Sequence, residues 1–312
     1  MLILFLLVLF AYYLLLPLII LIWYTWYVRS KKKSYVHSAS KFNLPRDENG
    51  NILKPAIVGD IERARLNSDD VIATIFDLAI KKYLRMDEKD TKEKAFGVFD
   101  KTVNRLILTR LKNPDEQLDN YEKILMDRLF ITGDSIIINN LLWDFVDTFH
   151  KMEKNVIQIL LERKYYARNP WKQKILLIIL AIASCVFTYN FFLTLVILFL
   201  SKKLHGRTAL GDKIAFNIDE LKLFIKSIDE NYSLQKDRFN IAEQIIPYAV
   251  SLGFIDKYLE QLKIISPDYN PAWLTGNIDV SSLYYFLMAC IDSSGGGIRG
   301  NAGIYATGES GV

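Results

Sequence analysis

Residues 175–200, ILLIILAIASCVFTYNFFLTLVILFL, contain no Asp, Glu, Lys or Arg. The opening stretch, MLILFLLVLFAYYLLLPLIILIWYTWYV (residues 1–28), is equally free of charge. Each exceeds the ~18 uncharged apolar residues that mark a membrane span. The chain therefore reads as an integral membrane protein, mainly α, with the lipid bilayer as its first partner. The rest of the 312 residues has near-ordinary composition and is long enough to bury a core of its own. Plentiful aliphatic and aromatic residues exclude disorder. Two cysteines, Cys185 and Cys290, with the first inside an apolar segment, exclude a disulfide scaffold.

Working outward, the opening stretch carries positive charge on its C-terminal side alone, at Arg29, Lys31, Lys32 and Lys33. Basic flanks stay cytoplasmic, which predicts an N-terminus outside the cell membrane and residues 29–174 inside. A cleavable signal peptide needs a basic start, a short apolar core and a small-residue cleavage site, and the stretch carries none of these. At ~1.5 Å per residue it would reach ~42 Å against ~30 Å of hydrocarbon, so a tilt or bend is expected, with Pro17 as the natural bend. Trp23, Tyr24, Trp26 and Tyr27 sit where amphipathic rings settle at the interface.

Residues 175–200 are too long for one perpendicular span and too short for two full ones. Positive charge flanks both ends: Arg163, Lys164, Arg168, Lys172 and Lys174 before, Lys202, Lys203 and Arg207 after. That balance favours a hairpin over a single span, with Thr188, Tyr189 and Asn190 at the turn and both flanks cytoplasmic. Trp171, Lys172, Lys174, Lys202 and Lys203 are its expected interface anchors. No Asp, Glu, Lys, Arg or His lies within it, which argues against a transport pathway.

Residues 29–54 form a basic flank and linker, punctuated by Pro45, Asn49, Gly50 and Asn51. A module at 55–170 follows. Ser68 reads as an N-cap, with Asp69 and Asp70 favoured in the first turn by the helix dipole, and a helix runs to Met86. Its polar positions 70, 74, 77, 81 and 85 form one narrow stripe, so the helix is central to a core. Lys89–Lys94 reads as a charged turn between short strands at 83–88 and 95–110. Helix then charged hairpin is the outline of a winged-helix-like α+β module. A helix at 115–130, the short run SIIINNL, and a longer helix through Leu142, Phe145, Phe149, Met152, Val156 and Leu160 complete it.

Residues 206–290 read as a helical module. Ile214, Ile218, Leu221, Ile225 and Ile228 mark an amphipathic helix over 212–229; another from about Asn240 is bent or interrupted at Pro247, and Gly253 is its C-cap. A short helix spans 255–264. Tyr248, Tyr269 and Trp273 are the candidate interaction or pocket residues, with closure of a small core as the plainer reading. Residues 291–312 form a flexible Gly-rich tail, whose last 18 residues hold seven of the fifteen glycines. With no Lys after the glycines, a phosphate loop is excluded.

Four stretches carry a resemblance to a known family: PAIVGDIERARLNSDDVIATIFDLAIKKYLRM (55–86), LDNYEKILMDRLF (118–130), GRTALGDKIAFNIDELKLFI (206–225) and IIPYAVSLGFIDKYLEQL (245–262). Together they resemble the YciQ-like predicted bacterial membrane proteins, a domain-of-unknown-function family. The resemblance covers the membrane and cytoplasmic half of such proteins. It implies two spans before the GRTALG segment, and an extracytoplasmic β-rich domain supplied by a longer gene or a partner chain. It implies no known activity.

Residue chemistry points to no enzyme, cofactor or metal. His37, His150 and His205 lie far apart with no ligand-spaced Cys or carboxylate, and HExxH, CxxC and GxSxG are absent. The carboxylates read as solvated helix faces, and capping accounts for Asp69 and Asp70 without an acid/base role. Residues 29–174 carry 28 basic and 22 acidic residues; once the nine flank positives are set aside, the body is net negative. Nucleic-acid binding, which needs a basic face, is thereby disfavoured. The expectation is a non-enzymatic, membrane-anchored scaffold or sensor with cytoplasmic interaction modules and a protein partner. A membrane enzyme or transport accessory is the rival.

Overall fold

The computed structural model describes residues 1, 8, 10–32, 44–95, 99–138, 145–203, 206–226, 239–265 and 269–294. In chain order these form helix α1 (Leu16–Lys32), α2 (Pro55–Arg63), α3 (Ser68–Ile80), strands β1 (Leu84–Ala95) and β2 (Phe99–Arg110), α4 (Asn120–Leu129), β3 (Ser135–Ile137), α5 (Phe145–Glu162), α6 (Pro170–Thr188), α7 (Phe191–Lys203), α8 (Ala209–Lys226), α9 (Phe239–Ser251), α10 (Ile255–Ile265), β4 (Leu274–Thr275) and α11 (Val280–Ser294). The protein is mainly helical with a small mixed sheet. Two compact units arise, one from residues 1–41 and 160–220, the other from 42–159 and 221–312.

In the first unit, α1 is preceded by a π-helical segment, Ala11–Leu15, closed by the Leu16 N–H on the Ala11 carbonyl. Pro17 has no N–H, so the turn before it loses a donor and widens. The stretch 175–200 is not one continuous helix: α6 stops at Thr188, Tyr189 turns left-handed at φ 50°, and α7 restarts at Phe191. α7 folds back on α6, and Thr194 Oγ1 donates to the Ala181 carbonyl at 3.3 Å. The break falls on the polar residues that the sequence marks as a turn. Pro170–Phe187 is apolar and long enough to cross a membrane, with mean hydropathy 1.5 and 17% of it buried. A soluble core helix would be mostly covered. Ala11–Tyr27 and Phe191–Ser201 are shorter apolar helices.

The second unit is built around α3, whose residues from Val71 to Ala79 are all buried. Asn67, not Ser68, is the N-cap: its side chain accepts from the Asp70 N–H while Asp70 reaches back to the Asn67 N–H, a full capping box. Ser68 is the first helical residue. A second capping box, Asp119 with Glu122, starts α4 at Asn120, later than the expected 115. β1 and β2 pair antiparallel from Leu84↔Arg110 to Ala95↔Phe99. Lys89–Lys94 therefore belong to a strand, not to a turn. β3 joins β2 at Ile107–Thr109 and β4 runs parallel to β1 at Met86–Asp87, giving the order β3-β2-β1-β4. Leu84, Met86, Leu106 and Leu108 alternate onto the core face.

α9 runs through Pro247 without interruption. It ends in a Schellman turn at Gly253 (φ 75°): the Phe254 N–H donates to the Ala249 carbonyl and the Gly253 N–H to the Val250 carbonyl. α11 reaches Ser294 and buries Ile291, so the tail does not begin at 291. Residues 295–312, Leu142, Lys33, His37 and His205 lie outside the described residues.

Candidate functional site

The densest polar chemistry of the second unit lies at the two ends of α3. At its N-terminus, Arg63 Nη2 donates to Asp70 Oδ1 at 2.6 Å and to Asn67 Oδ1 at 3.1 Å, while Nη1 donates to the Ser251 carbonyl. The Ser251 hydroxyl lies 2.7 Å from Asp70 Oδ1 and 3.0 Å from the Pro55 carbonyl; the Asn67 N–H donates to Asp70 Oδ2 at 2.9 Å. Asp70 and Ser251 are fully buried. Burial pushes the Asp70 carboxyl above its ordinary value, opposed by the Arg63 guanidinium and the Ser251 and Asn67 donors.

Gly59 makes this approach possible. A Cβ there would lie 1.8 Å from Asp70 Oδ1 and 2.3 Å from Ser251 Oγ. The network thus presses against the bare backbone of α2, and α9 is tied to α2 and α3 through Ser251. α11 is tied in the same way. Tyr284 donates to Asp69 Oδ1 at 2.8 Å and Ser68 to Asp292 Oδ1 at 3.1 Å. Burial raises the Asp69 carboxyl, with the Tyr284 hydrogen bond acting against it.

At the other end, Lys54 pairs with Glu122, with Asp119 Oδ2 at 3.1 Å and with the Gln117 carbonyl at 3.0 Å. Glu122 Oε2 also accepts from the Asp119 N–H at 2.6 Å. Asp77 and Lys81 pair one turn apart at 2.5 Å. Burial raises Asp77 and Glu122, and the two lysines hold them down. Asp60, Asp70, Asp77, Asp87 and Glu122 are all buried. The expectation that the carboxylates line solvated faces is therefore wrong for these five: the polar stripe of α3 faces partners from α2, α4 and α9 rather than water. The missed signal is the companion set Arg63, Asn67 and Gly59 just upstream, which supplies the neutralising charge and the space.

A dense set of displaced ionisation equilibria marks functional sites and structural networks alike. Access separates the two. Ser251 has the geometry to pass a proton to Asp70, yet neither has any surface open to a substrate. Ile75, Leu129, Ile138, Phe145, Leu287, Cys290 and Ile291 line a cavity of about 20 Å³. Wholly apolar walls and room for about one water suit neither a substrate nor an ion.

The sequence-derived candidates are distributed as follows. Trp273 Nε1 donates to Glu243 Oε1 at 2.8 Å and the Tyr269 hydroxyl donates to the same oxygen at 3.2 Å. Tyr248 is apart from them, donating to the Leu53 carbonyl at 2.7 Å. Trp273, which is buried, and Tyr269 thus converge on Glu243. Burial and Glu243 together raise the Tyr269 hydroxyl far above its ordinary value. In the first unit, Trp23 and Trp26 are exposed, Trp23 stacks on Tyr27, and Tyr24 meets Phe199 edge-on with centroids 6.0 Å apart. Arg29, Lys31 and Lys32 occupy the last turn of α1, and Lys202 and Lys203 that of α7. Lys172 and Lys174 lie in the first turns of α6, where the Lys174 ammonium sits 5.7 Å from the centre of the Trp171 ring. Among the described residues no three His, Cys, Asp or Glu side chains converge as metal ligands.

Neither a curated protein nor a solved structure matches the chain. A family does, over residues 51–262, which run from the start of α2 through the buried network to α10 and include the apolar hairpin. Its description is "Predicted membrane protein (DUF2207) C-terminal domain", and it is the YciQ-like family that the four sequence stretches resemble. The chain belongs to this family of predicted membrane proteins of unknown function.

Proposed function

We propose that the protein is a non-enzymatic, membrane-anchored scaffold or sensor of the cell membrane. Its first segment crosses the bilayer with the N-terminus outside, and residues 170–203 enter as a hairpin that opens to the cytoplasm. The larger unit, with its winged-helix-like α3–β1–β2 module, works on the cytoplasmic side. One observation carries the reading. Asn190 at the hairpin turn bonds to Tyr12, and Tyr24 meets Phe199, so α1 runs beside α7 in the same direction. Arg29, Lys31, Lys32, Lys172, Lys174, Lys202 and Lys203 therefore all gather at one end of the three-helix unit, with the turn at the other. That is the distribution the positive-inside rule requires of a hairpin with cytoplasmic flanks. α7 has 13 residues, about 20 Å at ~1.5 Å each, so its tip stops within the ~30 Å hydrocarbon.

The interaction role draws support from the buried networks, whose bonds run between helices and hold them together. It also draws support from the β1–β2 ribbon, which continues beyond its contacts with β3 and β4 and, among the described residues, has no further strand on those edges. Reporter fusions after residues 34, 170 and 205 of the full-length chain test the topology. All three reporting from the cytoplasm is the expected result; an external signal at any one overturns the hairpin.

A further inference from the structure

The hairpin turn meets the first apolar segment at a polar contact. Asn190 is fully buried, and its Nδ2 donates to the Tyr12 carbonyl at 3.0 Å. Its Oδ1 accepts from the Leu193 N–H at 2.9 Å, which caps α7. Both halves of the amide are thus used. A cap needs only the oxygen, and Ser or Asp would supply it. The amide nitrogen has a separate task.

Tyr12 lies in the π-helical segment, whose pattern pairs a carbonyl with the N–H five residues on, as Ala11 does with Leu16. For Tyr12 that residue is Pro17, which has none. In hydrocarbon no water replaces a missing donor, and a backbone carbonyl left there costs several kcal/mol. Asn190 supplies what Pro17 lacks. The two residues are far apart in sequence, and each alone would be a defect: a proline that orphans a carbonyl, and an amide buried among apolar side chains.

We propose that Asn190 is the lock between the hairpin and the first segment: its side-chain amide replaces the backbone donor removed by Pro17, and so fixes where α1 packs along α7. The pairing makes a prediction that a plain helix cap does not. Replacing Asn190 weakens the packing only while residue 17 is proline. With an N–H restored at position 17, the Tyr12 carbonyl is satisfied within its own helix and the amide becomes dispensable. Loss of the cap, by contrast, costs the same in either background and cancels in a double-mutant cycle.

The test uses the full-length chain in membranes, with Cys185→Ala and Cys290→Ala, and with Tyr24→Cys and Phe199→Cys placed at the aromatic contact. Titration against a glutathione redox buffer gives the equilibrium constant for the new disulfide, which reports how firmly α1 is held beside α7. Asn190→Leu lowers that constant about threefold to eighteenfold with Pro17 present, the span that interhelical hydrogen bonds cover in bilayers. With Pro17→Ala, the same substitution changes it less than twofold. Equal losses in both backgrounds, or no loss with Pro17 present, overturn the lock. Should Asn190→Leu fail to accumulate, recovery in the Pro17→Ala/Asn190→Leu chain supports the lock, and failure in both backgrounds overturns it. The readout is indifferent to the side on which the hairpin opens, so it stands or falls separately from the reporter map.

Discussion

Arg63→Met isolates the buried charge at the start of α3. The substitution keeps an unbranched apolar stem and removes all three guanidinium hydrogen bonds. Asp70, fully buried, is then left with Ser251 and the Asn67 N–H as donors. Removing one member of a buried pair costs about 3–5 kcal/mol, and the Arg63 side chain is 29% exposed, which brings the expected loss to about 2–4 kcal/mol. Proton uptake sets a ceiling. A carboxyl that ionises near pH 4 when unfolded can be neutralised at pH 7 for ~1.4 kcal/mol per unit, or about 4 kcal/mol. For a unit of this size the melting temperature falls by about 5–12 °C. The penalty carries a pH signature. In the variant the folded carboxyl titrates well above its unfolded value, so the penalty is absent below pH ~4 and grows as pH rises through the folded value. Calorimetry of the full-length chain in micelles at pH 5 and pH 7 reads both, and the gap to the parent narrows at pH 5. In the Arg63→Met/Asp70→Asn chain most of the loss returns, because the orphaned charge is gone. A gap that is constant with pH, or a double variant as unstable as Arg63→Met, refutes the account.

Three further substitutions probe other contacts of the same unit. Gly59→Ala would raise stability by ~0.5–1 kcal/mol in an ordinary helix interior, whereas the 1.8 Å approach to Asp70 predicts a loss of about 1–3 kcal/mol, so the sign of the melting shift decides. Trp273→Phe keeps an aromatic ring beside Phe76 and removes the indole donor to Glu243, lowering stability by about 1.5–3 kcal/mol in the same assay. Tyr269→Phe, which removes a longer bond to the same oxygen, costs less. Equal effects from the two would count against Trp273 as the main partner of Glu243.

Which parts were legible follows from which forces act locally. The helix at 68–80, the amphipathic run of α8, the Gly253 cap and the break at Thr188–Asn190 each depend on residues within a few positions, and periodicity or backbone chemistry reveals them. The start of β1 is legible at 83–88, but its continuation is not, because Asp87–Lys94 has no apolar alternation, the local signature of a strand; its pairing with β2 comes from across the hairpin. The buried carboxylates were hidden for a sharper reason. On a helical wheel, a stripe through Asp70, Thr74, Asp77 and Lys81 is the same whether it faces water or a second polar layer. Deciding between them requires knowing that Ser251, 181 residues later, comes to Asp70, and that Gly59 leaves it room. The same reasoning applies to Pro17 and Asn190. Each, read alone, is a residue out of place in an apolar stretch; only when the fold brings them together does one defect answer the other. In a chain of this composition, out-of-place residues that remain unpaired in sequence are therefore the best places to look for long-range contacts. Pairs found in this way yield a coupling that a double-mutant cycle can measure, where a single substitution reports only that something was lost.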